Sequence, residues 1–173
     1  MKSYLTFLPN LLLALCLPIN ASAEEEATAI AHYGSWSVFN DDVACWVAAM
    51  GWNNTSDAKM AMETTRAYAA FHNGNVEPMI SFELGAMTRD DMTVTVGGSQ
   101  FELFEHQQSL FTYEEDLQLL RQMLKNSSMK LGDDAHNVVF FLDGFQDAYS
   151  HVAKICDFRS LDLDEPTEAL RQG

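Results

Sequence analysis

The chain has 173 residues, 47% of them hydrophobic, and carries 25 acidic side chains against 10 basic ones. A formal charge of −15 repels nucleic acid and anionic lipid head groups at long range, which argues against a role on either. The length suits one domain with a real hydrophobic core after a short leader is removed.

That leader is legible at the N-terminus. Lys2 is its one charge, Leu11 to Leu17 is an uninterrupted apolar run, Pro18 breaks it, and small residues Ala21 and Ala23 follow. This is the layout of a secretory signal cleaved after Ala23. The apolar run is too short for a membrane span, which needs about 20 residues. A lipid anchor on Cys16 would want a small residue before it and finds Leu15. Residues 1–23 are therefore read as a signal peptide, and the mature chain is expected in the periplasm, at the cell surface or secreted, with no membrane span.

Of the three cysteines, Cys16 leaves with the signal, so Cys45 and Cys156 remain in an oxidising compartment. Neither has the neighbours of a zinc site, and a disulfide between them is expected. Closing so long a loop stabilises a fold by roughly 4 to 5 kcal/mol on the chain-entropy account.

Taken in chain order, Tyr33 to Phe39 alternates large and small residues in the period of a half-buried strand, and Asn40-Asp41-Asp42 supplies a turn. Cys45 to Met50 is the next strand, ended by Gly51. Arg66 to Phe71, Met79 to Leu84, Met92 to Val96 and Phe101 to Phe104 follow, with Gly97-Gly98 as a hairpin turn. Thr112 and Glu115 have the spacing of a capping box, and behind them Tyr113, Leu117, Leu120 and Leu124 recur at helical spacing. Val138 to Leu142 reads as a central strand. From Gly144 to Cys156, Phe145, Ala148, Tyr149, Val152 and Cys156 fall on one helical stripe, which aims Cys156 at the sheet. The fold class is α+β: a predominantly antiparallel, sandwich-like β domain with two helices. The domain is read as residues 24–158, and 159–173 as a flexible acidic tail.

No nucleophile elbow, phosphate loop or helical histidine pair is present, and a catalytic or metal site is not expected. Trp36, Trp46 and Trp52 have the chemistry to line a sugar or peptide groove. Alternation favours the core for Trp36 and Trp46, and Trp52, in a polar stretch after Gly51, is the exposed candidate for partner binding.

The segments Trp36-Ser37-Val38, Cys45-Trp46-Val47, Phe101-Glu102-Leu103, the helix ending in Met123-Leu124-Lys125, and Leu142-Asp143-Gly144-Phe145-Gln146-Asp147-Ala148-Tyr149, running on to Cys156, together resemble the invasion-associated locus B family of exported bacterial proteins. The resemblance spans Tyr33 to Phe158. It implies a small periplasmic or cell-surface β-sandwich without enzymatic activity or cofactor, acting through an unidentified protein or envelope partner. Gly132-Asp133-Asp134-Ala135-His136 stands where the family usually has an Arg-Gly-Thr-like segment. The competing expectation is a periplasmic hydrolase whose carboxylates or histidines meet only in the folded state.

Overall fold

The computed structural model describes residues 27–53, 65–75, 77–84, 92–132 and 137–161. The expected leader with Ala21 and Ala23, residues 133–136 and the chain beyond Leu161 lie outside the described residues. Described are β1 (Ala31–Tyr33), β2 (Trp36–Asn40), β3 (Ala44–Met50), β4 (Trp52–Asn53), β5 (Arg66–His72), β6 (Met79–Glu83), β7 (Thr93–Val96), β8 (Ser99–His106) and β9 (Ser109–Thr112). Helix α1 (Asp116–Lys125), β10 (Ser128–Gly132), β11 (Asn137–Phe141) and α2 (Phe145–Ile155) complete the order.

All strand pairings are antiparallel, in the order β1-β2-β3-β5-β6-β9-β8-β7-β10-β11-β4. Two strands turn corners between the halves of this sheet. The first half of β8 pairs with β7 and its second half with β9. Strand β3 pairs with β2 and β5, whereas β4, one residue further along the chain, pairs with β11. Strands that switch partners in this way let a sheet curl around one core. Gly51 makes the second corner possible, because a Cβ there would overlap the Val138 side chain. The expected α+β, sandwich-like architecture is the one observed.

Alternation decides which residues fill the interior. Cys45, Val47 and Ala49 of β3 point inward with Ala67, Ala69 and Phe71 of β5, and the apolar stripe of α2 lies over them. That stripe is Phe145, Ala148, Tyr149, Val152 and Ala153, as its helical spacing requires. The Cys45–Cys156 disulfide joins the start of β3 to the end of α2, with the Cα atoms 6.1 Å apart. Past it, Asp157 takes a left-handed φ of 51° and Phe158 N–H bonds the Ala153 carbonyl, a helix-ending turn that lays Phe158 on Phe71 at 5.0 Å. Leu161, in the stretch read as tail, is buried, and its N–H donates to the Tyr149 hydroxyl at 2.8 Å.

The other end of α2 is fastened just as closely. Gly34, in the turn between β1 and β2, and Gly144, ahead of α2, lie back to back. A Cβ on Gly34 would overlap the Asp143 carbonyl, and one on Gly144 the Tyr33 carbonyl. Ser35 donates to Asp143 through both its N–H (3.2 Å) and its hydroxyl (2.8 Å). Trp36 is fully buried, packs at a tilt against Phe145 with ring centroids 4.7 Å apart and donates its indole N–H to the Phe141 carbonyl at 3.0 Å.

Several sequence expectations change. Tyr33 to Phe39 is not one strand but a hairpin, because Gly34 takes a φ of +53° and reverses the chain. The capping box does not form: Thr112 ends β9, Glu114 turns the chain at φ +62°, and α1 starts at Asp116 with no side-chain cap. Strand β11, expected as a central strand, does pair on both sides, with β10 and with the two-residue β4, but it is buried on one face alone: Val138 and Phe140 face in while Phe141 is 47% exposed. The Gly97-Gly98 hairpin forms as read, both glycines at positive φ between Val96 and Ser99.

Two glycines separate conformational cost from collision. Gly74 (φ +76°) has open space around its Cβ position, so Gly74→Ala is expected to cost only the left-handed penalty, roughly 1–2 kcal/mol. Gly144→Ala (φ +78°) carries the same penalty and also drives a methyl into backbone, so it should lose clearly more, about 3 kcal/mol or above. Urea unfolding of the two variants side by side checks this; equal losses would mean that Gly144 is not in contact with the Gly34 turn.

Candidate functional site

With α2 covering the inner face of β2, β3 and β5, the opposite face is left to solvent. Its residues follow from the phase that Cys45 imposes: if Cys45 and Val47 point in, Trp46, Ala48 and Met50 point out. The register then assembles three rows across the strands. Phe39 lies opposite Trp46 and Ser37 opposite Ala48. Ala48 faces Tyr68, and Met50 faces Arg66. The small Ser37–Ala48 row is a trough between a wall of Phe39 and Trp46 and a rim of Tyr68, Met50 and Arg66. The two wall rings are nearly parallel, 6° apart with centroids at 5.6 Å. Their cavity holds about 550 Å³ and is also reached by Trp52, carried there by the bend at Gly51.

Among the described residues lining this groove, Arg66 is the only charged one. It lies 3.9 Å from Glu83 on β6, and Tyr68 donates its hydroxyl to the same carboxylate at 2.8 Å. Partial burial raises the Tyr68 phenol above its ordinary pKa, and the bond to Glu83 adds to the shift. Tyr68 is thus held as a neutral donor, and the Arg66–Glu83 pair cancels its own charge. With both members about half exposed, the pair adds little to stability.

Trp52 is 60% exposed, in keeping with its reading as a binding candidate, and it joins this groove. Trp36 is in the core, as alternation suggested. Trp46 is not: it is half-buried on the outer face, because its neighbours Cys45 and Val47 take the inward positions. Sequence reasoning missed Phe39, Tyr68 and Arg66 as lining residues. The signal was present in the disulfide, which fixes the phase of β3 and, through antiparallel pairing, of both its neighbours.

A second, smaller cavity of about 260 Å³ lies between Glu77, Pro78, Glu114 and Asp116. It is the nearest counterpart of the carboxylate site expected for a hydrolase. Burial raises the Asp116 carboxyl above the usual range; the Ile80 N–H at 2.9 Å and the Thr112 hydroxyl act against that shift, and the Glu77 charge adds to it. The Asp116 carboxylate is therefore already spent on extending the β6 ladder, and among the described residues no nucleophile faces it in this cavity. His32 bonds Ser37 at 2.9 Å and His151 bonds the Tyr33 hydroxyl at 3.0 Å. Among the described residues, no group of three or more His, Cys, Asp or Glu side chains is arranged to hold a metal ion.

The direction of the Asp116 shift fixes a pH dependence. A carboxyl with a raised folded pKa binds its proton more tightly folded than unfolded, so ionisation costs stability at neutral pH. That cost fades as pH falls through the folded pKa and is gone below the unfolded value of about 3.9. Asp116→Asn keeps the acceptor for Ile80 and is expected to match or exceed wild type in stability at pH 7, the advantage shrinking in acid. Asp116→Ala orphans the Ile80 N–H and should lose about 1–3 kcal/mol. Thermal melts at pH 7 and pH 3.5 check both; a large loss in the Asn variant at pH 7 would mean that the charge itself is needed.

Among the described residues no helix is long and apolar enough to cross a membrane, and the disulfide is in keeping with an exported chain. Comparison with known protein families, with curated proteins and with solved structures finds no match to this chain.

Proposed function

We propose that this is an exported, non-catalytic binding protein of the bacterial envelope, working through the outer face of β2, β3 and β5. The observation that carries the reading is the groove itself. Large side chains on a solvated sheet face are normally replaced by small polar ones, since every exposed ring forfeits burial. Here Phe39, Trp46, Tyr68 and Trp52 converge on one trough, beside a guanidinium already neutralised by Glu83. A surface of rings and hydroxyls is suited to holding a ligand, and among the described residues that line it no acid–base pair is poised to transform one.

The leader at 1–23 and the disulfide support export, and the resemblance to the invasion-associated locus B family supports an envelope role. The segments that carry that resemblance, around Trp36 and around Gly144, are packed against each other and hold α2 in place. They account for the scaffold, and the groove on its far side is where a partner acts.

Co-sedimentation tests this. Purified mature protein mixed with washed envelope fragments should pellet with them, whereas a folded Trp46→Ala/Tyr68→Ala variant should stay mostly in the supernatant. Equal retention of both proteins, or none of the wild type, would defeat the assignment of this face.

A further inference from the structure

The chemistry of the groove narrows its ligand. Resting on the reading that this outer face is the working surface, we infer that it binds a neutral, linear oligosaccharide laid across the strands from the Phe39–Trp46 pair over Tyr68 toward Phe111. Four observations select that class.

First, β3, β5 and β6 each have a strand on both sides, so their backbone groups are taken by the ladders. An extended peptide, which gains affinity by pairing with a free edge, finds none on this face. Recognition must come from side chains. Second, the groove is locally neutral. Arg66 faces Glu83, and the whole chain carries −15, so an anionic ligand is repelled at a distance and a cationic one finds no unpaired acid among the described residues of the trough.

Third, the trough is open. Phe39, Trp46, Ala48 and Tyr68 are half-buried rather than enclosed, so an acyl chain lying there would keep one flank in water. A pyranose ring has the opposite balance. Its C–H face packs on an aromatic ring while its hydroxyls reach Ser37 on the floor of the trough and the Tyr68 hydroxyl at its rim. Fourth, the aromatic row continues. Tyr68 lies opposite Ser81, Ser81 opposite Phe111, and Phe111 opposite Phe104. Two strand spacings put Phe111 about 10 Å from Tyr68 along the row, with only the small Ser81 between. That interval accommodates further sugar rings, so the site suits a chain rather than a monosaccharide.

The test uses the mature protein and defined probes: chitotetraose, cellotetraose and maltotetraose with their disaccharides, tetragalacturonate as an acidic control, and a lauryl maltoside below its micelle concentration. Tryptophan fluorescence and calorimetry are expected to show saturable binding of at least one neutral tetrasaccharide, tighter than its disaccharide. Trp46→Ala should weaken it about tenfold or more. Phe111→Ala should weaken the tetrasaccharide but not the disaccharide. Circular dichroism confirms that each variant folds, and Tyr68→Phe serves as a gentler probe that removes only one hydroxyl.

If no neutral tetrasaccharide binds while envelope retention still depends on Trp46 and Tyr68, the sugar assignment fails and the binding-face reading stands. Preference for tetragalacturonate, or for lauryl maltoside through its tail, would likewise overturn the assignment. So would a dimer that Trp52→Ala dissolves, since the face would then belong to a second copy. Sugar binding indifferent to Trp46→Ala would remove the site together with the reading beneath it.

Discussion

The last helix is pressed onto the inner face of the first strands and held there at both ends, and the remainder of the molecule is arranged around that contact. At the N-terminal end, two glycine turns meet backbone to backbone and Trp36 closes over Phe145. At the C-terminal end, a covalent bond spans a sequence separation of 111 residues between Cys45 and Cys156. Between them runs an apolar stripe with no polar interruption. The glycines are obligatory because any side chain would hold the two backbones apart. The disulfide acts chiefly by denying the unfolded chain much of its freedom.

This contact divides the labour between the two faces of β3. Its inward residues, Cys45, Val47 and Ala49, are consumed by the core, which leaves Trp46, Ala48 and Met50 for solvent. A disulfide on one side of the strand therefore fixes the position of Trp46 on the other. The ring wall, the small-residue trough and the hydroxyl rim all inherit their register from a strand that cannot slip, because a slip of one residue would exchange its two faces. The groove is rigid for the same reason, with its walls on paired strands rather than on loops.

Much of the architecture can be read from the amino acids where one force dominates. The stripe of α2 is long and regular, Cys45 and Cys156 are each other's obvious partner, and Gly97-Gly98 admits little besides a tight hairpin. The difficulties come where local patterns compete. Tyr33 to Phe39 alternates smoothly enough to hide the reversal at Gly34. Thr112 and Glu115 match a helix start, yet Thr112 belongs to β9 because strand pairing with Leu103 outweighs a single capping bond. Strands β1, β4, β9 and β10 are short and owe their form to neighbours distant in sequence. The groove was half legible: Trp52 stands out in a polar stretch, but Phe39, Trp46 and Tyr68 look like core residues until the inward phase of Cys45 is known.

Equilibrium unfolding of the processed protein, compared with a Cys45→Ser/Cys156→Ser variant and followed by native-state hydrogen exchange, bears on this account most directly. A loss of about 2–5 kcal/mol is expected, with exchange accelerated first over α2 and the β1–β2 hairpin. Two freely alkylating thiols in the native protein, or a double variant as stable as wild type, would show that the final helix is not what holds the sheet in place.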